Sequence, residues 1–292
     1  MPFVKTGWHF YLFLFMGFIN ANGRIVKASK TLLGSADHSY RYGDGLFETM
    51  KLKEDQILLK NLHFERLFNS LAVLAFNIPS NFTPDKLEKE IIDLCRRNHC
   101  TRLARIRLSV SRGSGGLHDC NDQLHYIIEC SGLALRGTEL DQKGYEIAIF
   151  PEARKSCDVF SNLKSSSHLQ YVMAAGFAKE NKLNDCLLLN THSRICDSSF
   201  ANIFWIRKQT IFTPPLSEGC IAGITRRYLM ELNGLPYRVK ERKCTIADLE
   251  NADEIFLTNA IQGIKWVQKF KKKIYSNTIT RQIYAAYRQS LE

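Results

Sequence analysis

No two of the nine cysteines stand in the C-x-x-C spacing of a zinc site or a redox centre. Neither a structural zinc nor any other metal is therefore expected. An odd number of thiols without a pairing framework suits a reducing cytoplasm. Cys196, inside a candidate active-site strand, is the one thiol to watch. There is no Lys- or Arg-rich tail, and the one compact basic run is Lys271-Lys272-Lys273. The formal net charge is +11, from 40 Lys and Arg against 29 Asp and Glu. That charge is scattered and no nucleic-acid module is recognisable, so it reads as a basic surface with no nucleic-acid partner. Internal repeats and low-complexity tracts are also absent. No apolar run is long enough to span a bilayer, and Trp8 to Phe18, WHFYLFLFMGF, falls short. It resembles the apolar core of a signal peptide, but no small-residue cleavage site follows cleanly. Met16 reads as the start, with residues 1–15 a non-native or unstructured extension and no membrane association.

What is present suits one large or two modest globular domains: 292 residues, 45% of them apolar. Asn22-Gly23 between Phe18-Ile19 and Arg24-Ile25-Val26 is a hairpin signal. Strands are expected at Leu46 to Lys53 and Gln56 to Leu59, and helices at Leu62 to Ala75 and Pro84 to Asn98. The stretch ARIRLSVSRG alternates, with Ala104, Ile106, Leu108 and Val110 on one face and Arg105, Arg107, Ser109 and Ser111 on the other. A strand follows at Leu124 to Glu129. A polar stretch then suggests a boundary. The expected division is a small domain over 16–131, a linker over 132–143, and a larger domain over 144–292. In the second half, strands are expected at Gly144 to Phe150, Asp185 to Leu189, Ile203 to Ile206 and Glu254 to Leu257. Helices are expected at Ser167 to Asn181, Gly223 to Leu232 and Thr278 to Leu291.

Four strings carry chemistry. Lys164 lies in SNLKSSSHLQYVM, where Ser165, Ser166 and Ser167 leave room for a ligand. Asp197, in SRICDSSFANIFWI, is set among apolar residues; a buried carboxylate needs a cationic partner, and a protonated pyridinium nitrogen is one. Gly223-Ile224-Thr225 opens a helix, where free N–H groups, a hydroxyl and the helix dipole make an anion site. Arg66, in HFERL, sits on an early helix and suits a bidentate grip on phosphate oxygens. Each has an ordinary structural explanation when taken alone: a surface lysine, a turn aspartate, a helix cap, a surface ion pair.

Taken together they resemble the class IV aminotransferases, the fold-type IV pyridoxal-phosphate enzymes. RYGDGLFETMKL at Arg41 to Leu52 is similar to the family's first-domain signature, and the resemblance runs from Met16 to the end. It implies an α/β (α+β) two-domain fold of the D-amino-acid aminotransferase type, with the active site at the domain interface. It implies pyridoxal 5'-phosphate as cofactor and a homodimer whose sites draw a loop from the partner. Lys164 stands as the Schiff-base lysine and catalytic base, with Leu169 at the family's offset. Arg66, Gly223, Ile224 and Thr225 stand at the phosphate, with Asn259 and Ala260 of LTNAIQGIKWV. Asp197 stands at the ring nitrogen with Asn202 five residues on. The family usually has Glu where this chain has Asp197, so a longer contact or a deeper ring is expected.

The resemblance implies a small anionic amino/carboxylate substrate. Arg107 is the candidate for a substrate carboxylate, and Arg105 shares its face. Tyr42 and Glu48 are candidates for lining the pocket, with Glu48 alternatively paired to a lysine. SVSRGSGG at Ser109 to Gly116 and LTNAIQGIKWV are similar to strings of 4-amino-4-deoxychorismate lyases. That favours elimination to 4-aminobenzoate and pyruvate, a step of folate synthesis. The alternatives are branched-chain or D-amino-acid transamination, and beyond those a non-catalytic cofactor- or nucleic-acid-binding protein.

Overall fold

The computed structural model describes residues 17–30, 33–118, 123–134, 139–235 and 237–291. The extension expected over 1–15 and the start at Met16 lie outside the described residues.

The first half builds one antiparallel sheet. Its strands are β1 (Phe18–Ala21), β2 (Arg24–Lys27), β3 (Gly45–Lys53), β4 (Gln56–Ile57), β5 (Leu103–Ser111) and β6 (His125–Gly132). Their order across the sheet is β2-β1-β6-β5-β3-β4. Asn22 and Gly23 take φ of 51° and 83°, the left-handed pair that a two-residue hairpin of matching twist requires. The short helix α1 (His38–Tyr42) leads into β3. Helices α2 (Lys60–Val73) and α3 (Pro84–Arg97) follow. Thr83 caps α3 by accepting from the Lys86 N–H, and Pro84 sits where no N–H is needed. Alternation along β5 buries Ala104, Ile106, Leu108 and Val110 in a core with Leu67, Leu71, Leu87 and Ile91 of the helices. The opposite face of β5 keeps Arg105, Arg107 and Ser109 only partly buried.

The second half curls a nine-stranded sheet. Its members are β7 (Tyr145–Lys155), β8 (Asp185–Asn190), β9 (Ile195–Ser198), β10 (Asn202–Arg207), β11 (Thr210–Thr213), β12 (Val239–Glu241), β13 (Glu254–Asn259), β14 (Gly263–Phe270) and β15 (Lys273–Ile274). Helices α4 (Leu169–Glu180), α5 (Ile224–Glu231), α6 (Ile246–Glu250) and α7 (Thr278–Gln289) complete it. The central strands read as continuous apolar runs because both faces are covered; Phe204, Trp205, Ile255 and Phe256 are fully enclosed. Strand β7 slips register against β8 between Ile149 and Arg154. This bulge brings Lys155, at the strand's end, into the interior.

Some expected boundaries move, each for a local reason. The second helix starts at Lys60 and stops at Val73, because Ala75 turns left-handed at φ 51°. The helix after Lys164 begins at Leu169, because Ser166 spends its N–H on the Gly45 carbonyl. The stretch expected as a linker, 132–143, still has Gly132 in β6 and buries Leu140. Its residues 135–138 lie outside the described residues. Among the described residues no helix is long and apolar enough to cross a membrane.

Candidate active site

Lys164 lies where the two sheets meet. The Phe47 N–H donates to the Lys164 carbonyl at 2.9 Å, and the Ser166 N–H donates to the Gly45 carbonyl at 2.8 Å. The segment carrying Lys164 is thereby clipped to the start of β3. Its Nζ rests 4.5 Å from the centre of the Phe47 ring and has no hydrogen-bond partner among the described residues. Burial, then the nearby Arg66 and Arg107 cations, lower its pKa to about 8 against the pull of Glu48 and Asp197. A lysine so placed carries a useful fraction of free amine near neutral pH.

The other lysine close by is already committed. Lys155 Nζ donates to Asp197 Oδ2 at 3.2 Å and contacts the Tyr171 hydroxyl closely. Asp197, on β9, is almost wholly buried, which raises its pKa. Its carboxylate is held from all sides: Oδ2 also accepts from Tyr171 Oη at 2.9 Å and the Ile221 N–H at 2.8 Å, while Oδ1 accepts from Asn202 Nδ2 at 2.9 Å. Its cationic partner in the protein is therefore Lys155, which the sequence reading did not supply. Oδ1 takes a single donor in these contacts, so lone-pair capacity remains on that oxygen.

Asn202 acts as a brace, with both amide hydrogens spent inside the protein. Its other amide hydrogen goes to the Ile221 carbonyl at 2.9 Å. Its Oδ1 lies against Gly223, where an added Cβ would come within 1.8 Å, so only glycine fits. Leu169, at the expected offset from Lys164, is 71% exposed. Tyr171, two residues on, turns inward instead. Its signal was helical spacing from the buried Ala174 and Ala178 on the same face of α4. His168 was also missed. It stacks on Tyr171 at 4.3 Å and meets Phe47 edge-on at 5.4 Å. Burial, then Lys164, Lys155 and Arg107, bring its pKa down to about 4, so its imidazole is neutral beside Lys164.

The anion side is built at the start of α5. Gly223 is its N-cap and offers no side chain to the first-turn N–H groups of Ile224 and Thr225. The Thr258 hydroxyl on the adjoining β13 is buried without a hydrogen-bond partner among the described residues, and the buried Thr225 hydroxyl interacts with Tyr287. Buried hydroxyls are ordinarily satisfied, so the unpartnered Thr258 hydroxyl is free to donate to an acceptor oxygen. Thr258 was not among the expected residues. Its neighbour Asn259 spends its side-chain oxygen on the N–H groups of Ile261 and Gln262 at 3.0 and 2.7 Å. Asn259 and Ala260 therefore shape a turn, and the Asn259 side-chain oxygen is not offered to a ligand.

Arg66 departs from expectation in its grip. Its Nε and one terminal nitrogen pair with Glu48 at 2.7 and 2.6 Å, and the other terminal nitrogen reaches the Ala222 carbonyl at 2.9 Å. The bidentate face is thus turned to Glu48. Three of the five guanidinium N–H groups are used in these bonds, and the bond to Ala222 holds the group beside the residue that precedes Gly223. Glu48 spends its carboxylate on Arg66 and His63, and among the described residues no lysine forms an ion pair with it. It is buried beneath Arg66 and His63, with His63 Nδ1 at 2.7 Å. Burial alone would raise its pKa, but Arg66 and His63 prevail and hold it at about 2. Arg107 does reach the site: its guanidinium covers the Phe47 ring at 3.9 Å and its Nε donates to Ser109 Oγ at 3.1 Å. Tyr42 does not join this cluster; its ring turns edge-on to His38 at 5.0 Å, and the residue is 43% exposed. Cys196 is inert. Burial raises its pKa, and its thiol donates to the Leu188 carbonyl.

Known proteins share the sequence pattern and the fold. The pattern of the family described as Amino-transferase class IV matches residues 45–270. An aminodeoxychorismate lyase of Vibrio harveyi is 25% identical over 233 residues, covering 78% of this chain and 83% of that protein. A putative branched-chain-amino-acid aminotransferase of Methanocaldococcus jannaschii is 27% identical over 267 residues, covering 89% and 90%. The crystal structure of 4-amino-4-deoxychorismate lyase from Pseudomonas aeruginosa superposes with a TM-score of 0.81 at 25% identity, over 94% of this chain and 99% of that one. The chain belongs to the class IV aminotransferases. It is accordingly a pyridoxal-phosphate-dependent enzyme of the transaminase or lyase kind.

The residues present fit that cofactor. The first-turn N–H groups of α5 and the buried Thr225 hydroxyl suit a phosphate, and Asp197 Oδ1 suits a protonated ring nitrogen. Lys164 has the free amine that an aldehyde needs. When bound, the group supplies a sink for the charge left when a proton is removed beside the substrate nitrogen.

Proposed function

We propose that the protein is a 4-amino-4-deoxychorismate lyase, forming 4-aminobenzoate and pyruvate. The observation that carries this reading is the wall around Lys164. Phe47, His168 and Tyr171 form a run of flat rings, and Arg107 and Lys164 flank the first of them. Flat rings suit a cyclic unsaturated substrate better than a branched aliphatic one. The guanidinium on the same ring suits a carboxylate. The strings SVSRGSGG and LTNAIQGIKWV support the same choice.

In this reading Arg107 holds a substrate carboxylate. Lys164 takes the proton from the ring carbon that bears the amino group. The carbon–oxygen bond to the side chain then breaks, enolpyruvate leaves and becomes pyruvate, and the ring becomes aromatic. Lys155 and Tyr171 keep Asp197 ionised and aimed throughout, and neutral His168 adds no competing cation.

The discriminating assay gives purified holoenzyme aminodeoxychorismate and measures pyruvate and 4-aminobenzoate. Equimolar formation of both is expected. Conversion of branched-chain or D-amino acids with 2-oxoglutarate, without lyase turnover, would make the protein a transaminase. We also propose a homodimer working in the cytoplasm. Leu169, Val172 and Met173 on one side of α4, with Val159 and Phe160 nearby in sequence, are exposed apolar residues suited to a second copy. Sedimentation of the wild type as a dimer, shifted toward monomer in Val172→Glu, is the expected result. The free thiols of the described cysteines suit a reducing compartment.

A further inference from the structure

Three thiols meet in the core of the first sheet, on the face opposite Arg107. Cys95 lies in the last turn of α3, Cys100 just beyond it, and Cys130 on β6 directly across from Ile106. His99 takes a left-handed φ of 53° and folds the chain back, so that the Cys100 N–H donates to the Cys95 carbonyl at 3.0 Å. The three Sγ atoms lie within 4.8 Å of one another. The Cys100 thiol donates to Cys130 Sγ at 3.6 Å, and Asn98 Nδ2 donates to the same sulfur at 3.1 Å. Cys95 and Cys130 are buried, and Cys100 is partly buried against the same core.

Such a cluster has two chemistries open to it. A metal ion would gather three thiolates, and even a divalent ion would then leave net negative charge in an apolar core. That charge would also lie at the C-terminal end of α3, where the helix dipole is already negative. A disulfide is neutral and meets neither cost. We propose that Cys100 and Cys130 are a covalent modification site, closing to a reversible disulfide by exchange with a small-molecule disulfide.

Its bond to Cys130, then burial, raise the Cys100 pKa to about 12 against the effect of Cys95, so the Cys100 sulfur attacks one sulfur of the small disulfide as its thiol proton passes to Cys130 Sγ, 3.6 Å away. That sulfur–sulfur bond breaks, one small thiolate leaves, and a mixed disulfide remains on Cys100. Cys130 then yields that proton to the first small thiolate, attacks the Cys100 sulfur and expels the second small thiolate. Two protein thiols become one disulfide while one small disulfide becomes two small thiols. Cys130 is suited to the second attack, because the Cys95 thiol and the Asn98 amide, both still in place after Cys100 has reacted, help to lower its pKa. Cys95 is pushed the other way by Cys100, Cys130 and burial, and stays protonated. The sulfurs must close from 3.6 Å to about 2.0 Å, a movement the bend at His99–Cys100 can supply.

The test incubates reduced full-length protein with oxidised glutathione, blocks free thiols in acid, and maps peptides by non-reducing mass spectrometry. The expected product links the Cys100 and Cys130 peptides, two hydrogens lighter than their sum, and dithiothreitol reverses it. The link vanishes in Cys100→Ser and survives in Cys95→Ser. A stable glutathione adduct on Cys100 with Cys130 still open to alkylation would overturn the proposal. A link through Cys95 would overturn it too. Stoichiometric zinc uptake by the reduced protein that shields all three thiols would make this a metal site instead. Mapping of the wild type decides the matter even if a serine variant fails to fold.

Discussion

Lys155 Nζ lies 3.2 Å from Oδ2 of Asp197, and that contact assigns different work to the site's two lysines. Lys155 is spent on keeping a buried carboxylate charged. Lys164, nine residues on, is left with an aromatic ring and two repelling cations for company. The first prediction follows from this division. Lys164→Ala abolishes the visible absorbance of the holoenzyme and the adduct trapped by borohydride. Lys155→Met keeps a trapped adduct at Lys164 but loses on the order of 2 kcal/mol of stability, because Asp197 gives up one of its donors. Trapping followed by peptide mapping checks both. An adduct on Lys155 in the wild type would reverse the assignment.

The lowered pKa of Lys164 can be read directly. In apoprotein, acylation of Lys164 by limiting reagent should show a midpoint near pH 8 rather than at the ordinary 10.5. Arg66→Met should raise that midpoint, since it removes a cation and frees Glu48 to attract the ammonium. An unchanged midpoint would show that burial alone sets it. In stability the sign is clear. Between pH 8 and 10.5 the unfolded chain binds the proton that the folded chain has released, so this group makes stability rise with pH across that window.

Glu48 behaves oppositely. Its folded pKa of about 2 lies below the ordinary 4.5, so its contribution is fully present above pH 4.5 and is lost as pH falls toward 2. Arg66→Met removes the partner of a buried carboxylate and should cost about 3–5 kcal/mol, together with weaker cofactor binding. Chemical denaturation at pH 7 and at pH 3 checks the first effect: the variant's deficit should shrink at the lower pH. A deficit independent of pH would mean that packing, and not the ion pair, is lost.

Arg107 lies beside the chemistry but outside the phosphate cradle. Arg107→Leu should raise KM for a carboxylate substrate roughly 30-fold, equivalent to about 2 kcal/mol. Cofactor affinity should barely change. Steady-state kinetics with a cofactor titration separate the two; a matching loss of cofactor would place Arg107 elsewhere.

Gly223 tests the brace. A methyl group there would come within 1.8 Å of Asn202 Oδ1, so Gly223→Ala must displace Asn202 and with it the donor to Asp197 Oδ1. Weaker cofactor binding and a shifted absorbance maximum are expected. Normal spectra and affinity would mean that α5 moves as a unit without cost.

Much of this was legible in the sequence because it is local. Alternation along Leu103–Ser111 had to bury Ile106 and Leu108 and turn Arg107 outward, since a strand places successive side chains on opposite faces. Asn22-Gly23 had to make a tight hairpin, and Gly223-Ile224-Thr225 had to open a helix with free N–H groups. The order of Arg66, Lys164, Asp197 and Thr225 along the chain carried the family. What spacing could not reveal were contacts between residues far apart in the chain. Glu48 faces Arg66 across 18 positions, and Lys155 meets Asp197 across 42. Only the packing of α2 on β3, and the bulge that turns Lys155 inward, decide those pairs. The same holds for the cysteines. Their sequence spacing excluded a C-x-x-C motif, yet the left-handed turn at His99 brings Cys100 against a sulfur 30 residues away. The sequence determined which groups are available and which face each takes. The tertiary structure alone decided which charges meet in a low dielectric, and therefore which of two nearby lysines is free to react.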